Sequence, residues 1–184
     1  MTEFQQILAA EFAPHRSLSK GELDALNRHY ELLLRWNEKI NLTRITAVRD
    51  AVKFHYCESL FLALRLPSDR LTIADVGSGP GFPGIPIAIA RPDCSVTLIE
   101  SDQRKAIFLK EASRGVPNIR VLAARAELVQ EKFDWVVSRA VARQDLSTLD
   151  LAPKLALLTS NDEGEPLPWG EKRTIVIVSR GTFT

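Results

Sequence analysis

The chain has 184 residues, 45% of them hydrophobic and 26% charged, with a formal net charge of +1. That composition fits a folded domain with a sizeable core and excludes a mostly disordered or polybasic chain, so any nucleic-acid surface has to be a local patch. Two cysteines, Cys57 and Cys94, supply neither a disulfide framework nor metal-ligand spacing and are expected as reduced, packed thiols.

The N-terminal stretch MTEFQQILAAEFAP carries Glu3 and Glu11 and lacks the basic and apolar regions of a signal peptide. No apolar run reaches membrane-spanning length, and a cytoplasmic protein without a membrane partner is expected. Residues 1–70 read as helical. Ser19 and Glu22 have capping-box spacing, and behind them Leu23, Leu26, Tyr30, Leu33 and Leu34 form one apolar stripe. A further helix is expected from about Ala47 to Leu64, with Val52, Tyr56, Leu60 and Ala63 inward and Pro67 ending it.

From Leu71 the pattern changes. LTIADV (71–76), SVTLIE (95–100), IRVLA (119–123) and FDWVVS (133–138) are short apolar strands, and helices are expected over 84–90 and 103–114 between them. Such alternation predicts an α/β fold with a doubly wound, mainly parallel sheet. Strands over 155–160 and 173–180 follow, joined by the turn-rich NDEGEPLPWGEK. Without a crossover helix there, the last strand is expected to be antiparallel to its neighbour or at the sheet edge. The expected organisation is an N-terminal helical region, 1–68, packed on a core of residues 69–184, as one structural unit.

The first strand delivers Asp75 and then Gly77, Gly79 and Gly81, within DVGSGPGFPG. Glycine admits positive φ and lets a ligand approach the backbone. Glu100, ending the second strand, can accept hydrogen bonds from both hydroxyls of a ribose, which suits a dinucleotide and S-adenosylmethionine equally. Two features favour the latter: an acid ahead of the glycines to meet a cationic ligand, and prolines crowding the helix start a pyrophosphate would approach.

WNEKINLTRIT, DVGSGPGFPGIPIAIARPD, LIESDQRKAIFLKEASR, RAE and FDWVVSRAVA occur in the order and spacing of one bacterial family. Over about residues 30–142 the chain resembles the small-subunit ribosomal RNA methyltransferase G family, also called glucose-inhibited division protein B. The resemblance implies a Rossmann-like class I methyltransferase fold, S-adenosyl-L-methionine as cofactor, and methylation of N7 of a guanosine in 16S ribosomal RNA. It implies cofactor contacts at Gly77, Phe82, Ala126, Glu127 and Arg139. Gly79, Gly81 and Glu100 join them from the reading of the loop. The partner implied is 16S ribosomal RNA or the small ribosomal subunit, and a monomer is expected.

Guanine N7 carries a free lone pair, so attack on a methyl group needs no general base and catalysis can rest on orientation. Ser138-Arg139-Ala140 ends the fourth strand in place of the Asn/Asp-Pro-Pro-aromatic motif of exocyclic-amine methyltransferases, and Arg139 is the expected catalytic residue. Among the basic residues (Arg35, Lys39, Arg44, Arg49 and Lys53, then Arg104, Lys105, Lys110, Arg114, Arg120 and Arg125) we single out Arg125 and Arg44 as RNA-binding candidates. His55 and Glu58 lack a third ligand, so no metal is expected. Trp36 and Trp135 read as core or interface residues.

After residue 142 the resemblance frays. The fifth strand lacks the family's Lys-Gly ending, and a helix and a strand are missing, so a basic group able to face RNA is expected to be gone. The alternatives are methylation of another RNA base or a small molecule, or a catalytically silent, cofactor-binding ribosome-assembly protein.

Overall fold

The computed structural model describes residues 1–139, 141–160 and 163–179. Ala140 of the SRAVA motif and Arg180 of the last expected strand lie outside the described residues.

Two capping boxes start the first two helices. In α1 (Glu3–Phe12) the Thr2 hydroxyl accepts from the Gln5 N–H and the Gln5 side chain returns to the Thr2 N–H. In α2 (Lys20–Asn37) Ser19 and Glu22 do the same, as the sequence pattern predicts. Leu23, Leu26, Tyr30 and Leu33 are buried as expected. Leu34 is only partly buried, and Asn27, His29 and Leu32 take up more of the inward face.

The expected helix over 47–64 is continuous but not uniform. α3 (Val48–Ala51) passes into a π turn, Val52–Cys57, and then into α4 (Glu58–Arg65). Val52, Tyr56, Leu60 and Ala63 are all buried. Leu66, extended ahead of Pro67, ends the run.

Among the described residues one seven-stranded sheet forms, in the order β3-β2-β1-β4-β5-β7-β6. Its strands are β1 (Thr72–Val76), β2 (Ser95–Ile99), β3 (Ile119–Leu122), β4 (Trp135–Arg139), β5 (Lys154–Thr159), β6 (Glu165–Pro166) and β7 (Thr174–Ser179). The first five pair in parallel; β7 is antiparallel to β5, and the two-residue β6 takes the edge beyond it. α5 (Gly84–Ala90) and α6 (Gln103–Ala112) connect β1 to β2 and β2 to β3. A short α7 (Arg143–Thr148), not anticipated from the sequence, makes the crossover from β4 to β5.

Period-two alternation divides the strand residues between two buried clusters. Ile73, Val96, Leu98, Trp135, Val137, Ala156 and Leu158 face a large cluster that also holds Phe4, Leu8, Leu26, Tyr56 and Phe108. The N-terminal helices and the sheet thus share one core. Ala74, Val76, Ile99, Val136, Leu155 and Leu157 face a smaller cluster closed by Leu146 of α7, Leu151 and Ala152. No helix among the described residues is long and apolar enough to cross a membrane.

Candidate functional site

Strand order reverses between β1 and β4, and ligands of open α/β sheets sit beyond the carboxyl ends of the strands at such a switch. The loop after β1 is shaped from beneath. Asp75 is fully buried and accepts from the Gly84 N–H at 2.9 Å through Oδ2, while its Oδ1 has no hydrogen-bond partner among the described residues. Burial raises the carboxyl pKa to about 7, the Gly84 N–H opposing it. A side chain at Gly84 would bring Cβ to 2.4 Å from Leu98 and 2.6 Å from Asp75 Oδ2, so only glycine lets the helix start this close to the acid.

The three glycines expected at the ligand divide in the structure. Gly77 is exposed at φ +70°, and a Cβ there would lie 2.7 Å from Val141 Cγ2. Gly79 is buried and donates its N–H to Glu100 Oε2 at 2.9 Å. Gly81 is buried on the helical side, where a Cβ would meet Ile85 and His29. Glu100 is only 8% exposed, and its second oxygen accepts from the Asp102 N–H at 2.8 Å. Its carboxylate therefore holds the glycine loop before it can serve a ribose.

A cavity of about 240 Å³ opens over Val76, Gly77, Ile99 and Ser101, walled by Ala124, Arg125, Ala126 and Glu127 and by Val141, Asp145 and Leu149. Small residues at its floor and the carboxylates of Glu127 and Asp145 fit a cation-bearing adenosyl ligand, and the space that a Gly77 side chain would fill is part of that fit. Arg125, expected at RNA, lines this cavity. Phe82 does not: it is 1% exposed, under the helical layer, with its ring 4.6 Å from His55 and 5.0 Å from Tyr56.

A larger cavity, about 760 Å³, lies beyond β4 and β5. Its lining comprises Thr43, Arg44, Ile45, His55, Arg139, Val141, Ala142, Arg143, Leu158, Thr159, Ser160 and Arg173. Arg44 and Arg139 thus come together here, and Val141 belongs to both cavities. Arg139 donates to the Phe54 carbonyl oxygen at 3.0 Å and faces His55 Nδ1 at 2.6 Å, its guanidinium 5.0 Å above the Phe82 ring. Burial lowers its pKa to about 10, Glu58 opposing, so it stays charged at neutral pH.

Several side chains unassigned by the sequence reading build this site. Arg173 pairs with Glu58 and sits 5.7 Å from the Phe54 ring. The family's lysine at the end of the fifth strand is absent, but Arg173 and Arg143 both line the cavity. His29, hidden in the α2 stripe, bonds Tyr56 Oη at 2.7 Å and the Pro80 carbonyl oxygen at 2.9 Å, tying α2 to the glycine loop. Burial lowers the His29 pKa to about 4. Among the described residues no group of three metal-ligating side chains occurs. Trp36 is partly buried and donates to Glu111 at 3.1 Å, while Trp135 is buried in the core. Of the other basic candidates, Lys53 faces Glu11 at 3.7 Å and Arg120 pairs with Glu131.

The sequence matches the family described as rRNA small subunit methyltransferase G (GidB) over residues 22–157. It is 45% identical over 130 residues to a ribosomal RNA small subunit methyltransferase G of Xanthomonas campestris pv. campestris, covering 68% of this chain and 60% of the relative. The counterpart from Chromobacterium violaceum is 41% identical over 127 residues, covering 67% and 60%. The chain spans about 60% of the length of these relatives. In structure it is similar to a SAM dependent methyltransferase from Aquifex aeolicus, with TM-score 0.51 and 13% identity over 74% of this chain and 78% of that one. The fold is the Rossmann-like class I arrangement expected from the sequence.

Proposed function

The chain belongs to the rRNA small subunit methyltransferase G family, and from that premise we propose that it transfers a methyl group from S-adenosylmethionine to N7 of a guanosine in 16S ribosomal RNA, as a cytoplasmic monomer. The observation that carries the reading is the meeting of two cavities at Val141: one over the open glycine with two carboxylates in its wall, one with four arginines and, among the described residues, no carboxylate in its lining. The first suits a cationic cofactor and the second a nucleotide with its phosphates.

S-adenosylmethionine, when bound, supplies an electrophilic methyl group; what remains for the chain is to bind, orient and exclude water. Gly77, Ala126, Glu127 and Asp145 would hold the cofactor, and Glu100 would keep the loop shaped for it. Arg139 and Arg44 would orient the target nucleotide in the larger cavity. Methylation of an exocyclic amine or a hydroxyl needs a proton acceptor. Among the described residues lining the larger cavity, the titratable base is His55, which faces the Arg139 guanidinium through Nδ1, and burial, with Arg139, lowers its pKa to about 2. N7 has a free lone pair and needs no base, so this lining supports N7 over those targets.

The test is incubation with methyl-tritiated S-adenosylmethionine and small subunits from cells lacking the modification. Label in 16S ribosomal RNA is expected. Label confined to protein or small molecules, or none despite cofactor binding, overturns the reading.

A further inference from the structure

Arg139 leaves the end of β4 and reaches back into the helical layer, where both of its acceptors, Phe54 O and His55 Nδ1, come from the π turn. The widened turn is what frees them. In an uninterrupted α-helix the carbonyl of residue 54 would accept from the N–H of residue 58. Here the Glu58 N–H bonds the carbonyls of His55 and Lys53, and Phe54 O is left for the arginine. Turns of this kind recur at functional sites.

A guanidinium carries only donors, so His55 Nδ1 must be the acceptor and the proton of the neutral ring must sit on Nε2. Nε2 lies 2.8 Å from Thr43 Oγ1. Thr43 is in turn fixed by Asn37, whose Oδ1 accepts from the N–H groups of Leu42 and Thr43 at 2.8 and 2.9 Å and whose Nδ2 donates to the Thr43 carbonyl at 3.0 Å. The WNEKINLT stretch thus ends on the far nitrogen of the ring that faces Arg139. Phe82 closes the arrangement, nearly parallel to His55 at 20°.

We propose that His55 is a positioning residue: as its Nε2–H tautomer, set by Thr43, it holds Arg139 in the orientation that methyl transfer requires. The proposal rests on the functional reading above, which places Arg139 beside the reacting groups. Protonation of His55 would turn Nδ1 into a donor and set two cations against each other. The groups around it are Arg139 on β4, Arg173 ahead of β7, His29 on α2 and, in the same cavity lining, Arg44; burial, with Arg139 next in weight, keeps the ring neutral against the opposing Phe54 carbonyl.

The first arm of the test needs no turnover. Imidazole nitrogen NMR on the full chain should show His55 with a bare Nδ1 and a protonated Nε2, unchanged between pH 7.5 and 5.5. In Arg139→Ala that ring should begin to titrate or exchange tautomers. A ring protonated on Nδ1, or a spectrum indifferent to Arg139→Ala, overturns the proposal. The second arm is kinetic. His55→Ala should lower kcat by about 10²-fold, the scale of a misplaced reacting group, with cofactor Kd unchanged. His55→Asn keeps an oxygen acceptor near Nδ1 and should recover most of kcat. In an Arg139→Ala background, His55→Ala should cost nothing more. Equal losses in Ala and Asn variants, or an undiminished loss without Arg139, also overturn it. If the wild type labels no ribosomal RNA, the functional reading fails, while the spectra still decide whether His55 holds Arg139.

Discussion

Arg173, one residue ahead of β7, pairs its Nε and Nη2 with the two carboxylate oxygens of Glu58 in α4, a side chain with no exposed surface. The pair ties the C-terminal hairpin to the helical layer directly behind the larger cavity. Burial pushes the Glu58 carboxyl up, with the arginine opposing it.

Removing one partner leaves a buried charge, a change that costs about 3–5 kcal/mol. Arg173→Met should therefore lower the denaturant midpoint sharply. Glu58→Met with Arg173→Met should recover most of the loss, because a packed apolar pair replaces two desolvated charges. In Arg173→Met the lone Glu58 has its folded pKa raised further, so its stabilising protonation is present at low pH and lost as pH rises. The defect should be smaller at pH 5 than at pH 8. Equal defects at both pH values would show that Glu58 is not the stranded group.

Glu100 accepts from Gly79 and from Asp102, so its loss should be felt before any ligand arrives. Hydrogen bonds to a charged group contribute about 1.5–3 kcal/mol. Glu100→Ala should reduce stability of the free protein by an amount on that scale and weaken S-adenosylhomocysteine binding measured by calorimetry. An unchanged melting curve with weakened binding would assign the carboxylate to the ligand alone.

At Gly77 two penalties coincide: a left-handed φ of +70° and a Cβ 2.7 Å from Val141 Cγ2. The conformation alone costs an alanine about 1–2 kcal/mol. Gly77→Ala should lower stability and abolish cofactor binding. Adding Val141→Ala should relieve the contact but not the backbone strain, giving partial recovery of stability. Complete recovery would mean that crowding, and not φ, is what requires glycine.

Three buried groups besides Glu58 contribute to the pH dependence of stability. His29 and His55 have folded pKa values of about 4 and 2, below the unfolded value of 6.5, so each stabilises above pH 6.5 and loses that contribution as pH falls. Asp75, raised from 3.8 to about 7, acts in the opposite sense, stabilising at low pH and losing its contribution as pH rises. Counting these three groups alone, between about pH 4.5 and 6.5 the unfolded chain gains two protons where the folded chain holds one, a slope of about 1.4 kcal/mol per pH unit for the one unmatched proton. Asp75→Asn keeps an acceptor for Gly84 and removes the offset, so its stability should fall more steeply on acidification than that of the wild type. Urea midpoints at pH 5, 5.75 and 6.5 measure both slopes, and parallel slopes would contradict the account.

Much of this could be read from the chain because strong local signals agreed with the global fold. Ser19 with Glu22, the strand of Thr72–Val76 running into glycines, and Arg139 ending β4 are each specified by neighbours in sequence. What escaped is set by distant partners or by very short elements. α7 buries only Leu146, too little for a helical period to register, and β6 has two residues, paired among the described residues to β7 alone. The π turn leaves no mark in an apolar stripe that an α-helix satisfies equally well. Phe82 lies among glycines that the sequence pattern assigns to a ligand, but the helical layer, invisible from that loop, holds its ring. Arg173 was unreadable for the same reason, since Glu58 lies 115 residues away.

The most direct measurement of the central claim is chemical mapping of the product. An N7-methylated guanosine is cationic, and borohydride reduction followed by aniline cleaves the RNA at that nucleotide. Small subunits lacking the modification, treated with this protein and S-adenosylmethionine, should give 16S ribosomal RNA that is cleaved at one guanosine, with label and cleavage both reduced in Arg139→Ala. Methyl incorporation into 16S ribosomal RNA without aniline cleavage would contradict N7 as the target.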